Sequence, residues 1–177
     1  MFYESFYPKN ELKNLSKQLI EYKKRFLLYE NWQYNLEKNC FIWFYFIRKL
    51  LESKYKITDN IRKISIEVET CKFIWKKRLY QPIWDYDEYD FENPQKISIN
   101  IIELTHQFIH SQLFFWEKIK KGLSYVYVSS DFQLYKKLYK IDIDSIIEIF
   151  NTVSNDFVTS VITNRDIESW KINIKCN

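Results

Sequence analysis

Residues 58–79, TDNIRKISIEVETCKFIWKKRL, decide which class of fold this chain can form. Three β-branched residues in this segment alternate with other residues, as on one face of a strand: Ile64, Ile66 and Val68. A longer series of apolar residues recurs every three or four positions, as on one face of a helix: Ile57, Ile61, Ile64, Val68, Cys71, Trp75 and Leu79. Thr58 or Asp59 supplies a helix start signal. Because the helical spacing extends further, it predicts a helix over 58–79.

The same spacing predicts four more helices, over residues 10–30, 32–51, 98–114 and 145–161. In the second of these, Phe41 and Phe44 widen the apolar face, so we expect it to be the most enclosed helix. The last begins near Ser145, and Glu148 three residues later completes a capping-box pattern.

Three other segments break the helical pattern. Residues 123–143 contain two alternating runs joined near Ser130 and Asp131, which predicts a hairpin. The tail at 170–174 also alternates, and we expect it to add an edge strand to that hairpin. Residues 81–97 are predicted to form an irregular loop. The sequence therefore predicts one mainly α domain over the whole chain, a bundle of about five helices with a small β-hairpin inserted before the last helix.

The chain has one glycine in 177 residues, whereas average usage would give roughly a dozen. Phosphate-binding loops, dinucleotide fingerprints and nucleophile elbows need glycine where the backbone turns tightly or approaches a ligand. These three classes of site are therefore excluded.

The cysteines and apolar runs bear on the compartment. Cys40, Cys71 and Cys176 lie far apart without a C-x-x-C pair, which predicts neither a zinc site nor a disulfide framework and fits a reducing cytoplasm. The strongest apolar run, residues 40–47, is much shorter than the roughly 20 residues of a membrane span. We expect no contact with a membrane.

The bulk composition bears on partners. Aromatic residues make up 19% of the chain, more than a small core can enclose, so some are expected on the surface as a contact for another protein. The net charge of +4 is mild for a dedicated nucleic-acid-binding protein. Nucleic acid stays possible, because three basic clusters have aromatic neighbours: residues 72–78, 118–121 and 136–140.

The only two histidines, His106 and His110, lie four positions apart in the predicted fourth helix, and Glu103 precedes His106 by three. One helical turn brings such positions onto adjoining surface, which makes Glu103, His106 and His110 candidate metal ligands. Di-iron bundles need a second Glu-x-x-His motif, and no other histidine is present to form one. The alternative is a partly buried His110 that hydrogen-bonds across the bundle, and no cofactor is expected.

The five-helix layout is similar to that of HEPN-type bundles, which carry an arginine and a histidine on one helix, separated by four to six residues. The resemblance implies RNA binding or RNA cleavage with His110 as the acid–base group. The arginine of this pattern is missing here, because none lies between Arg78 and Arg165.

A second resemblance rests on HQFIHS at 106–111 and on VSSD at 128–131 followed by KLYKI at 137–141. These segments resemble the helix and hairpin motifs of an uncharacterised bacterial protein family, which carries no assigned activity. The resemblance implies a pocket in which four residues approach each other: His110, Ser129, Ser130 and Asp131. The alternative is that Ser130 and Asp131 only form the turn.

The predicted loop at 81–97 interleaves acidic and aromatic residues, and Trp84, Tyr86 and Tyr89 are candidates for docking a basic partner. A solvated loop is the alternative. The sequence thus predicts a non-catalytic protein-interaction or binding module, acting on another protein or by self-association, as an accessory or defence-linked bacterial protein. RNA binding or cleavage centred on His110 is the second hypothesis, and a metal site is the third.

Overall fold

A computed structural model describes residues 5–24, 31–53, 55–74, 88–119, 122–165 and 172–177. Within these ranges the helices are α1 (Phe6–Lys24), α2 (Trp32–Glu52), α3 (Asp59–Arg62), α4 (Ile101–Ile109) and α5 (Ile143–Ser154). The strands are β1 (Ser65–Lys72), β2 (Gln95–Asn100), β3 (Ser111–Ile119), β4 (Gly122–Ser130), β5 (Lys137–Asp142), β6 (Val161–Arg165) and β7 (Ile172–Cys176).

The first five strands form one antiparallel sheet in the order β2-β1-β5-β4-β3. Residues from α1, α2, α4 and α5 share a single hydrophobic core with β1, β2, β4 and β5. The fold is therefore α+β. The prediction of a mainly α bundle of five helices is wrong, because the segments assigned to the third and fourth helices contain β1 and parts of β2 and β3.

The decisive segment 58–79 forms the short helix α3 and then β1, and residues 75–79 lie outside the described part of the chain. β1 is paired on both edges, by β2 and by β5. Val68 packs into the main core, whereas Cys71 packs into a second cluster with residues of β3, β4 and β5. Ser65 and Glu67 are exposed, so β1 is covered on both faces only near Cys71. The helical spacing arose because the series joined Ile61 of α3 to Val68 and Cys71, which lie on opposite faces of β1.

The segment 98–114, predicted to be one helix, contains the end of β2, the whole of α4 and the start of β3. Asn100 supplies the helix N-cap, because its Oδ1 accepts a hydrogen bond from the Glu103 backbone N–H at 2.8 Å. Helix α4 ends at Ile109, and β3 begins at Ser111. Ile102, near the start of α4, is 47% exposed.

The predicted hairpin at 123–143 is confirmed as β4 and β5, although it lies within the larger sheet. The last helix starts two residues before Ser145, because Asp142 caps it by accepting a hydrogen bond from the Asp144 backbone N–H. The tail pairs as β7 with β6 in a separate two-stranded sheet, which contradicts the predicted edge strand.

The second predicted helix is confirmed as α2, which follows Asn31 in the left-handed region (φ 73°). Its inner face includes Trp43 and Phe44, and the Phe44 ring stacks on Phe108 of α4 with ring centroids 3.9 Å apart. The expectation that Phe41 is enclosed is wrong, because this ring is 45% exposed. No described helix is long and apolar enough to cross a membrane.

Candidate functional site

Among the described residues, an open cleft of about 430 Å³ lies between α4 and the turn that joins β4 to β5. This volume is within the range of small-molecule sites. Most of the lining side chains are polar. Those used below are Asn100, Glu103, His106, His110, Asp131, Phe132 and Gln133.

The end of α4 places both histidines at the cleft. Their ring centroids lie 6.0 Å apart in an edge-to-face arrangement, as expected for neighbours four positions apart on a helix. His110 occupies the C-cap position, and both imidazoles are exposed. The expectation that His110 is partly buried is therefore wrong.

The β4–β5 turn is tied to α4 by two hydrogen bonds. The Asp131 backbone N–H donates to the His110 carbonyl oxygen at 3.0 Å. The Ser130 backbone N–H donates to Oε1 of the buried Gln107 at 3.2 Å. The structure thus brings His110, Ser130 and Asp131 to one place, as the second resemblance implied. Ser129 does not line this cleft, because it is fully buried and its hydroxyl donates to the Lys137 carbonyl oxygen.

Glu103 lines the cleft, and its carboxylate is already hydrogen-bonded to another side chain. Its Oε1 accepts a hydrogen bond from the Tyr139 hydroxyl at 2.9 Å. Burial and this carboxylate raise the pKa of Tyr139 above its ordinary value, because both disfavour a phenolate there. Within the described ranges, no group of three or more histidine, cysteine or acidic residues is placed to hold a metal ion. The metal hypothesis on Glu103, His106 and His110 therefore has no support from the geometry.

An arginine that the sequence did not point to stands beside His110. Arg48 Nη1 lies 3.5 Å from His110 Nε2, and Arg48 Nε also donates to Glu52 Oε1 at 2.8 Å. Guanidinium groups only donate hydrogen bonds, so a bond along the first contact needs Nε2 as the acceptor. The stack of Phe44 on Phe108 brings α2 against α4. Arg48 lies one helical turn after Phe44, and His110 follows Phe108 by two residues, so the two side chains come close together.

The turn also carries an aromatic ring at the edge of the cleft. Phe132 is 72% exposed, and the Lys136 ammonium lies 3.7 Å from its ring centroid. Composition alone predicted exposed rings but could not indicate which ones. An exposed ring that lines the same cleft as two imidazoles, one of which contacts a guanidinium, suits the stacking of a base and the contact of a phosphate.

Of the acidic-aromatic candidates the structure describes only Tyr89, which does not line this cleft. Trp84 and Tyr86 lie outside the described residues. Tyr89 is only 6% exposed, and its hydroxyl donates to the Leu134 carbonyl oxygen. Burial raises the pKa of Tyr89 to about 12. Its predicted role as an exposed docking residue is therefore wrong.

Comparison of the chain with protein-family models, curated proteins and solved structures found no match. The resemblance to an uncharacterised bacterial family therefore stays a prediction. The likeness to HEPN-type bundles depended on a five-helix layout, which the antiparallel sheet replaces.

Proposed function

We propose that this protein is a non-catalytic binding module whose cleft takes one nucleotide unit of a single-stranded RNA. The observation that carries the proposal is the contact between Arg48 and His110 beside a cleft with an exposed ring at its edge. Arg48 and the imidazoles suit a phosphate, and Phe132 offers a face for a base. The amides of Asn100 and Gln133 match the polar edge of a base.

The remaining polar groups fit the same ligand. The Asp131 carboxylate accepts a hydrogen bond from the Phe132 backbone N–H at 2.7 Å, which holds the turn that presents the ring. Glu103 retains an oxygen beyond the one bonded to Tyr139, and a carboxylate accepts readily from a ribose hydroxyl. An open cleft lined mainly by polar residues suits a chain that passes across the surface.

The test is fluorescence anisotropy with a labelled single-stranded RNA oligonucleotide at low and moderate salt. Stacking of one base is worth about 1–3 kcal/mol, so Phe132→Ala is expected to weaken binding about 5- to 150-fold. Phe157→Ala is the matched control, since that ring is 69% exposed and does not line the cleft. Arg48→Ala is expected to lower the slope of log affinity against log salt by about 0.7, the value of one lost phosphate contact.

Equal affinities for the Phe132→Ala and Phe157→Ala variants would contradict the proposed cleft. The RNA recovered after incubation is expected to be intact, and cleavage that disappears in His110→Ala would replace binding with catalysis.

A second function, contact with another protein, is favoured by a separate observation. The outward side of α2 carries four exposed apolar or aromatic residues where a surface helix normally carries polar ones: Tyr34, Phe41, Ile42 and Tyr45. A contiguous exposed surface of this kind usually marks an interaction site.

A further inference from the structure

The outward side of α2 alternates aromatic and cationic groups along the helix. Tyr34, Lys38, Phe41, Tyr45 and Lys49 recur at spacings of three or four, so they lie along one ridge, and Ile42 lies beside Phe41. Tyr34, Phe41 and Tyr45 are 64%, 45% and 40% exposed. At a rise of 1.5 Å per residue, this α2 ridge is about 22 Å long. It is long enough to be a helix-packing surface.

The lysines of the ridge already contact its rings. The Lys38 ammonium lies 5.4 Å from the Tyr34 ring centroid, and the Lys49 ammonium lies 5.4 Å from that of Tyr45. Lys49 also donates a hydrogen bond to Glu52 at 2.8 Å. Each tyrosine ring has a second face, which can receive a cation from another molecule.

We propose that the partner of the α2 ridge is a second copy of this chain, packed antiparallel about a two-fold axis that passes between Phe41 and Ile42. The proposal rests on the second function above, contact with a protein. An axis at that point places Tyr34 of one protomer opposite Lys49 of its partner. It likewise places Lys38 opposite Tyr45, and Phe41 opposite Ile42. Every lysine of the ridge then faces a tyrosine.

The parallel arrangement lacks this complementarity. It places Lys38 beside Lys38 and Lys49 beside Lys49, and such like-charge contacts are unfavourable. In the antiparallel arrangement the same contacts occur twice, as an isologous interface requires. Because a single pair of helices buries less area than a standard interface, the dimer is expected to dissociate in the micromolar range.

Exchanging Lys38 and Tyr45 one at a time and together tests whether these two residues pair. Sedimentation velocity across the micromolar range measures the monomer–dimer equilibrium of each variant. Tyr45→Lys places two lysines opposite each other twice per dimer, so the dimer is expected to weaken at least about tenfold. Adding Lys38→Tyr to that variant restores one aromatic ring opposite one lysine, and dimerisation is expected to recover. A native chain that stays monomeric throughout the range, or a double variant no better than the single one, overturns the proposal.

Cross-linking with a short bis-maleimide tests the position of the axis. The three native cysteines are buried, so the reagent reports an introduced one. Ile42→Cys lies next to the axis and is expected to cross-link between protomers. Tyr34→Cys is the control, since its two copies are separated by about 22 Å along the helices. Cross-linking that is equal for both variants contradicts this register.

The RNA titration of the same variants separates the two hypotheses. The α2 ridge does not line the cleft, so Tyr45→Lys is expected to keep the RNA affinity of the native chain. Loss of the dimer with unchanged RNA binding therefore supports the dimer proposal independently of the cleft. Absence of RNA binding in a chain that still dimerises contradicts only the RNA proposal.

Discussion

The single glycine of the chain offers a substitution for which two physical effects predict opposite signs. Gly122 begins β4, and its φ is not positive, so its backbone conformation is open to alanine. If conformational freedom were the only effect, Gly122→Ala would stabilise the protein by about 0.4–1 kcal/mol through the unfolded chain.

The surroundings of Gly122 reverse that expectation. A Cβ at this position would lie 1.6 Å from the Lys23 carbonyl oxygen at the end of α1, whereas real Cβ atoms stay at least 3.0 Å away. The nearest obstacle is backbone, so the clash cannot be relieved by turning a side chain. Forcing extra volume into a packed site costs about 1–3 kcal/mol. Because the obstacle is backbone, the cost lies in the upper part of this range, about 2–3 kcal/mol. After an entropic gain of up to about 1 kcal/mol is subtracted, Gly122→Ala is expected to lower the free energy of unfolding by about 1–2 kcal/mol.

Urea unfolding followed by tryptophan fluorescence measures this change, with thermal unfolding as a second measurement. A loss of that size corresponds to a fall in Tm of about 2–8 °C for a chain of this length. Gln112→Ala, at an exposed position in β3, is the control and is expected to stay within about 0.5 kcal/mol of the native protein. A Gly122→Ala variant as stable as the native chain, or more stable, refutes the close approach of β4 to α1.

Two further predictions concern buried titratable groups. The pKa of Tyr139 is raised by burial and by Glu103, so its contribution to stability is present below about pH 10 and is lost as the pH rises further. Between pH 10 and the raised pKa, Tyr139→Phe is expected to make the fall in unfolding free energy less steep by about 1.4 kcal/mol per pH unit in urea titrations, and an unchanged slope contradicts this. All three cysteines are buried, and burial raises the pKa of the Cys71 thiol to about 11 and that of Cys40 as well. A thiol reagent at neutral pH is therefore expected to label less than one cysteine in the native protein within minutes but three after denaturation, and rapid labelling before unfolding is the contrary result.

Local signals in the sequence predicted part of the candidate site. His106 and His110 share a helix whose pitch brings them together, and the turn after β4 follows from the alternating runs on either side of Ser130 and Asp131. Of the four residues expected to approach each other, the structure brings His110, Ser130 and Asp131 to one cleft. Ser129 was misplaced, because neighbouring strand residues point to opposite faces and the sequence did not indicate which residue faces α4.

The amino-acid sequence alone predicted the features that depend on residues close together along the chain. These are the extent of α2 and the β4–β5 hairpin. The near absence of glycine likewise excluded glycine-dependent sites. The sequence misled at 58–79, because Ile61 of α3 and Val68 and Cys71 on opposite faces of β1 together produced a helical spacing that extends further than the alternation within the strand. Arg48 beside His110, and Glu103 under Tyr139, depend on contacts between distant segments. No spacing along one helix or strand encodes such contacts, because they form only when α2 and the sheet pack against α4.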